Sequence, residues 1–204
     1  MLSDEFNNFF NKYTKQEFVE YFKYANFKMY NIYQKLPDGL KKRFSKVVLL
    51  VLDFDGTLTN NKVYIDQTGR ESVKCSRGEP LVQDLKDLAK VDTLILSRED
   101  NLVTGKRAEK LGIMCVQGLR SKIEIFNKEI EKRGLKKEHV CYVGNDWNDA
   151  ECIKAAGVGV AVSDAYWPVQ NIADYTTHHE GGKGAVREVC ELILFAKGVH
   201  PHQK

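Results

Sequence analysis

The 204-residue chain predicts an α/β fold in which a doubly wound parallel sheet is covered by helices on both faces. Three observations carry that expectation. From Lys46 onward, short apolar runs alternate with amphipathic stretches, the pattern of repeated βα units. One run, Val47 to Leu52, is apolar without interruption, as a strand buried on both faces must be. It ends on Asp53, and Asp55 follows two residues later, so in an extended backbone both carboxylates leave on the same face. Open α/β sheets hold their chemistry beyond the carboxyl ends of the strands. Two carboxylates aimed into one crevice repel each other unless a cation lies between them, and an all-oxygen donor set favours Mg²⁺.

Taken in order, residues 1–45 form a helical N-terminal extension. Phe6, Phe9, Phe10 and Tyr13 recur at helical spacing, as do Phe18, Tyr21, Phe22 and Ala25, and Pro37-Asp38-Gly39 reads as a turn. Residues 46–204 form the main domain. After Asp55, Lys62–Asp66 and Arg70–Cys75 flank Gln67-Thr68-Gly69, a β-hairpin. Leu81, Leu85 and Leu88 mark a helix, and Thr93–Leu96 a second buried strand that stops at Ser97. A helix runs to Leu111 with Gly112 after it, and Met114–Val116 is a short strand. Ser121 to Arg133 is a charged amphipathic helix. Val140–Val143 is a strand closing at Gly144-Asn145-Asp146-Trp147-Asn148-Asp149. A helix to Ala156, the strand Val158–Val162 and a last helix from about Lys183 to Ala196 complete the chain.

Composition excludes several function classes. The net charge of +3, from 31 basic and 28 acidic residues intermixed along the chain, is too small for a nucleic-acid surface. No stretch is long and apolar enough for a membrane span, and charged or amide residues interrupt the N-terminus every few positions. Five cysteines (Cys75, Cys115, Cys141, Cys152, Cys190), odd in number and without CxxC spacing, point to free thiols in a reducing cytoplasm.

Polar residues stand at four strand or helix ends: Asp53 and Asp55, Ser97, Lys122, and the group Asn145, Asp146 and Asp149. Singly, each reads as a turn, a cap or a solvated side chain. In this order and spacing they resemble the haloacid dehalogenase superfamily of phosphatases. Asp53-Phe54-Asp55-Gly56-Thr57 is similar to its first motif, Ser97 to its second, Lys122 to its third, and Gly144 to Asp149 to its fourth. The hairpin, Arg77-Gly78, Ala161–Ala165 and Gly181–Glu188 resemble the branch acting on 3-deoxy-octulosonate 8-phosphate and nine-carbon sialic-type sugar-acid phosphates. Leu96–Glu99, and Gly144-Asn145 followed by Glu151-Cys152, are also similar to the domain appended to animal CMP-sialic acid synthetases. Three positions depart from the pattern: Ser97-Arg98-Glu99 replaces Thr-Gly-Arg, Asn145 replaces an aspartate, and Arg77-Gly78-Glu79 replaces Arg-Asp-Gly.

The resemblance implies a Rossmann-like, capless phosphatase of the haloacid dehalogenase type, with the hairpin as its insertion. It implies Asp53 as nucleophile and Asp55 as general acid and base. Gly56, Ser97, Arg98 and Lys122 would bind the phosphate. Mg²⁺ would be held by Asp53, Asp55, Asn145 and Asp146, and Arg77 would contact the substrate. A homo-oligomer, most simply a tetramer, would close the site with hairpins of neighbouring subunits and the Gly181-Gly182 tail. A second class of function stays open at this point, a non-catalytic oligomerisation or regulatory domain associated with sugar-nucleotide synthesis. The full set of Asp53, Asp55, Ser97 and Lys122 argues for the enzyme, and Asn145 for the alternative.

Overall fold

The computed structural model describes residues 27–76 and 81–199. The aromatic positions from Phe6 to Ala25, and the Arg77-Gly78-Glu79 segment, lie outside the described residues. Six parallel strands form the main sheet: β1 (Leu49–Leu52), β4 (Asp92–Leu96), β5 (Met114–Val116), β6 (Val140–Gly144), β7 (Val158–Ala161) and β8 (Tyr175–Thr176). β2 (Thr59–Ile65) and β3 (Glu71–Cys75) make a separate antiparallel hairpin. The order across the sheet is β5-β4-β1-β6-β7-β8. The chain therefore winds outward from β1 in one direction, then returns to β6 on the other side of β1 and winds the opposite way. That reversal opens a crevice at the carboxyl end of β1, where ligands bind in such sheets.

Every residue of β1, β6 and β7 is buried, so helices must cover both faces. One group gathers around α8 (Ala185–Ala196), which packs on α1 (Phe27–Lys35), α2 (Asp38–Ser45) and α3 (Leu81–Ala89). A second group is α5 (Lys122–Lys132) against α6 (Ala150–Ala155), while α4 (Leu102–Leu111) packs on β5. Leu49–Leu52, Leu94–Leu96 and Leu192–Leu194 are at most 1% exposed. Burying each such side chain is worth about 1.5–3 kcal/mol, which is why these runs tolerate no polar residue.

Three local expectations are corrected. Pro37-Asp38-Gly39 is not a free-standing turn: α2 begins at Asp38, with Pro37 at its N-cap and Gly39 inside its first turn. Burial of Phe44 and packing on α8 outweigh the low helix propensity of that glycine. α1 and α2 thus dock on the chain's own last helix, where Tyr30 meets the Phe195 ring at 5.6 Å. α8 starts at Ala185 rather than Lys183, after Gly184 in the left-handed region. Two short elements were not foreseen, α7 (Trp167–Gln170) and β8, because four-residue and two-residue pieces carry no readable period.

The return to α8 is pinned by Glu188, buried and bonded by the Tyr175 hydroxyl (2.5 Å) and by the His178 (2.9 Å) and His179 (3.1 Å) backbone N–H groups. Burial alone would raise its pKa, but these donors outweigh it and hold the carboxyl below its ordinary value.

Candidate active site

The end of β1 turns back on itself through one carbonyl. Phe54 O accepts from Leu58 N (2.9 Å) and Thr59 N (3.0 Å), and the Thr59 hydroxyl oxygen accepts from Gly56 N (3.0 Å). Gly56 has φ +85°, and a Cβ there would overlap the Asn145 carboxamide, so the position needs glycine twice over. Gly181 is constrained by contact alone: a Cβ would strike the Gly56 carbonyl. Its N–H donates to Asp164 Oδ1 (2.8 Å), and Gly182 N donates to Thr57 O (3.0 Å). The tail of the chain's own subunit therefore braces the Asp53 loop. It does not line the cleft in front of that loop.

Asp53 is 4% exposed and Lys122, the first residue of α5, 3%. The Ser121 side chain caps α5 by accepting from Glu124 N (3.5 Å), which sets Lys122 facing inward at the helix start. Lys122 Nζ donates to Asp53 Oδ1 at 2.5 Å, Asp149 Oδ1 at 2.7 Å and Asn148 Oδ1 at 2.9 Å. All three ammonium donors are thus spent on acceptors from β1 and from the loop after β6. Asp149 is in turn fully satisfied: Tyr142 OH donates to Oδ1 (2.7 Å), and Asn145 N (3.0 Å) and Asp146 N (3.2 Å) donate to Oδ2. Tyr142 and Asp149 hold the lysine that holds Asp53. Sequence reading named Asp149 only as part of a motif and missed Tyr142. The signal was present, since a tyrosine in an apolar strand needs a partner for its hydroxyl.

Burial pushes the Asp53 carboxyl up to about 7; Asp149 adds to this, while Lys122 and the Phe54 N–H oppose it. Asp55, half-buried, is also raised, first by burial and then by Glu99, against Lys122. A carboxyl in that condition suits proton donation to a leaving oxygen near neutral pH.

A cleft of about 270 Å³ lies over these groups, lined by Asp53, Asp55, Ser97, Lys122, Asn145 and Asp146 together with Asn61, Arg98, Glu99 and Asn148. Of the nine residues named from the sequence, seven line this cleft and Gly56 belongs to the loop beneath it. Arg77 lies outside the described residues. The Asp146 carboxylate is occupied as a cap, accepting from Trp147 N at 2.7 Å. Among the described residues no three acidic, imidazole or thiol groups converge on one metal position. Two carboxylates and the Asn145 amide are what remains, which fits a Mg²⁺ that keeps waters and takes the rest of its shell from a phosphate. Burial raises both Asp53 and Asp55 although Lys122 opposes it, as for neighbouring carboxyls that one ammonium does not fully neutralise.

A doubly wound sheet with a lysine-held carboxylate at its switch point, an acid two residues on and a hydroxyl across the cleft can supply a nucleophile, a proton donor and anion-neutralising groups to one substrate. Sequence comparison makes the class specific. The family model of the haloacid dehalogenase-like hydrolases matches residues 69–189, and the chain belongs to that family. It is 32% identical over 167 residues to the 3-deoxy-D-manno-octulosonate 8-phosphate phosphatase KdsC of Salmonella typhi, covering 81% of this chain and 89% of that one. Against KdsC of Escherichia coli K12 it is 35% identical over 161 residues, covering 74% and 80%. The crystal structure of the Yersinia pestis enzyme of that name superposes with a TM-score of 0.77 at 30% identity, over 80% of this chain and 89% of that one. The Moraxella catarrhalis enzyme, solved with magnesium ion, phosphate ion and KDO, gives 0.74 at 28%, over 78% and 91%.

Proposed function

We propose that this chain is a Mg²⁺-dependent phosphatase of an eight- or nine-carbon 2-keto-3-deoxy sugar-acid phosphate, with 3-deoxy-octulosonate 8-phosphate as the favoured substrate. The observation that carries the reading is the buried Lys122–Asp53–Asp149 arrangement at the mouth of an oxygen-lined cleft. The names of the relatives supply the substrate class. A purely structural domain has no use for a buried lysine between two carboxylates, because burying such charges costs several kcal/mol per ion before pairing offsets it.

In this reading an Asp53 carboxylate oxygen attacks phosphorus in line with the leaving sugar oxygen, forming an aspartyl-phosphate. Asp55 gives its proton to the departing alkoxide, then takes one from the water that attacks the intermediate. Lys122, the Ser97 hydroxyl and Arg98 neutralise charge on the equatorial oxygens. Mg²⁺ held by Asp53, Asp55 and Asn145, when bound, screens the carboxylates from the incoming dianion. Residues 46–204 are taken as the catalytic domain and 1–45 as its extension. The five scattered cysteines, odd in number and without CxxC spacing, fit a cytoplasmic setting.

A phosphate-release screen over octulosonate, nonulosonate and hexose phosphates tests the reading. Release should favour the sugar acids and require Mg²⁺. A preference for hexose phosphates, or release in chelator, overturns it. Asn145→Asp should lower the Mg²⁺ concentration at half-maximal activity, since a carboxylate adds a full charge to the site. An unchanged value would exclude Asn145 as a ligand.

The same proposal includes a homo-oligomer, most simply a tetramer. Val63, Tyr64 and Ile65 on β2 are 54%, 51% and 66% exposed, an apolar edge of the kind that pairs with another chain. Ile65→Lys should lower both the mass measured by light scattering and the activity. A fully active monomer in the wild type would exclude the assembly.

A further inference from the structure

Asn61 lies inside β2, yet its backbone has φ +57°, in the left-handed region that a β-carbon disfavours. The other non-glycine residue with positive φ among the described residues is Lys90. It stands just after the last residue of α3, where helices commonly end in that conformation. Asn61 has no helix to end. Instead, the hairpin register shifts between Thr59 and Val63, an irregularity of the kind that re-aims a side chain beside an active site. Asn61 lines the Asp53 cleft, the only hairpin residue in that lining among the described residues. Its place is firmly held, because its N–H donates to the Thr59 hydroxyl oxygen (3.4 Å), the same oxygen that accepts from Gly56 N. Asn61 is thereby tied to the loop that carries Asp53 and Asp55. Its carboxamide, by contrast, is exposed and bonds to no group among the described residues. The other two amides of the cleft have roles, Asn148 as an acceptor for Lys122 and Asn145 toward the metal.

We propose that Asn61 is a specificity residue that holds the departing alcohol by hydrogen-bonding a hydroxyl on the carbon next to the phosphate ester. The assignment rests on the phosphatase reading above and adds to it the group that recognises a polyol close to the reacting bond. With phosphorus in line with Asp53, the leaving oxygen faces its proton donor Asp55, and the first carbons of the alcohol follow that oxygen into the cleft. Asn61, six residues after Asp55 and fixed to the same loop through Thr59, is the hairpin side chain present there. A carboxamide suits a hydroxyl because it offers both donors and an acceptor. Being neutral, it also adds no charge beside Asp55 and Glu99. A carboxylate at this place would repel the phosphate dianion, and a cation would pair with Asp55 in place of the metal. Asn61 touches the alcohol and not the phosphorus, so it acts on selection and alignment.

Asn61→Gly tests the assignment. Glycine is the residue freest in this conformation, so the backbone keeps its path and only the carboxamide is lost. The thermal midpoint should therefore hold or rise. Octulosonate 8-phosphate and glycerol 3-phosphate both carry a hydroxyl on the carbon next to the ester, and on both the kcat/KM should fall by about tenfold, the worth of one hydrogen bond. Propyl phosphate lacks that hydroxyl, and its hydrolysis should fall by less than about threefold. The wild type should prefer glycerol 3-phosphate to propyl phosphate by about tenfold, and the variant should lose that preference. Full activity of the variant on all three esters would reduce Asn61 to a turn residue and overturn the assignment. Equal losses on all three would make it a prop for the Asp53 loop and overturn it too. A wild type that does not discriminate between glycerol 3-phosphate and propyl phosphate does the same. Failure of the octulosonate reading has a different signature, absent turnover of that compound by the wild type. In that event the glycerol and propyl esters alone decide the role of Asn61.

Discussion

Asp53→Asn is expected to bring phosphate release below roughly a hundredth of wild type, while the fold and the assembly persist. Losses on removing a covalent nucleophile reach about 10⁶-fold. The amide keeps the shape that packs at the end of β1, but it has no anionic oxygen to attack phosphorus. Lys122 would still have Asp149 and Asn148 as acceptors. Turnover above that hundredth would exclude Asp53 as the nucleophile. The same variant has a second readout in metal-free buffer. An aspartate in the unfolded chain titrates near 3.9, whereas burial raises Asp53 to about 7. Between about pH 4 and 7 the folded state therefore holds a proton that the unfolded state has released. Stability from this group is full below that window and is lost as the pH rises through it. Thermal unfolding of the wild type in chelator should show that decline, and Asp53→Asn should flatten it. Identical slopes in the two proteins would mean that Asp53 is ionised in the fold without a divalent cation.

Lys122→Met is expected to remove activity and to destabilise the fold by about 3–5 kcal/mol, the cost of breaking a buried ionic cluster from one side. Methionine fills much of the volume of the lysine stem, so the loss is electrostatic and not a cavity. Asp53 and Asp149 would be left as two buried carboxylates without the cation between them. Tyr142 and the loop N–H groups still satisfy Asp149, which makes Asp53 the more exposed to the loss. Urea unfolding of Lys122→Met beside Lys122→Met/Asp53→Asn separates the terms. The double variant should recover part of the stability and none of the activity. A single variant within about 1 kcal/mol of wild type would show that the cluster contributes nothing to the fold. Removing one phosphate-neutralising donor is worth about 10²–10³-fold in rate elsewhere, and a buried ammonium should fall at or above that range.

The two predictions draw on different kinds of information. Asp53, Asp55 and Ser97 were legible in the sequence because their placement is local. An unbroken apolar run has to be a central strand, the strand has to end somewhere, and a polar residue at that end faces the crevice. The parallel, doubly wound sheet was legible for the same reason, since alternating βα units with fully apolar strands have few other ways to bury their faces. Lys122 and Asn145 came from motif order, and Gly56 from its place after Asp55. The hairpin was also anticipated, though β2 begins earlier than expected, at Thr59, with an irregular register before Val63.

Other features are set by contacts between residues far apart in the chain, and no local pattern contains them. Pro37-Asp38-Gly39 carries every mark of a turn, yet packing on α8 makes it the start of α2. Asp146 and Asp149 are alike in sequence, but only the fold makes one a cap for Trp147 N and the other the acceptor shared by Lys122 and Tyr142. The resemblance gives Gly181 to a tail that closes the site, whereas in the fold the Gly56 carbonyl lies where its side chain would be and Gly181 braces the Asp53 loop. Asn61, Arg98 and Asn148 come from three separate segments and share a cleft with Asp53 only after the sheet has formed. The sequence by itself determined the sheet and the carboxylates at its switch point, because periodicity and strand ends are properties of neighbouring residues. The tertiary structure decided which lysine donor meets which acid and which side chains line the cleft, because those depend on distances between segments that the chain separates by tens of residues.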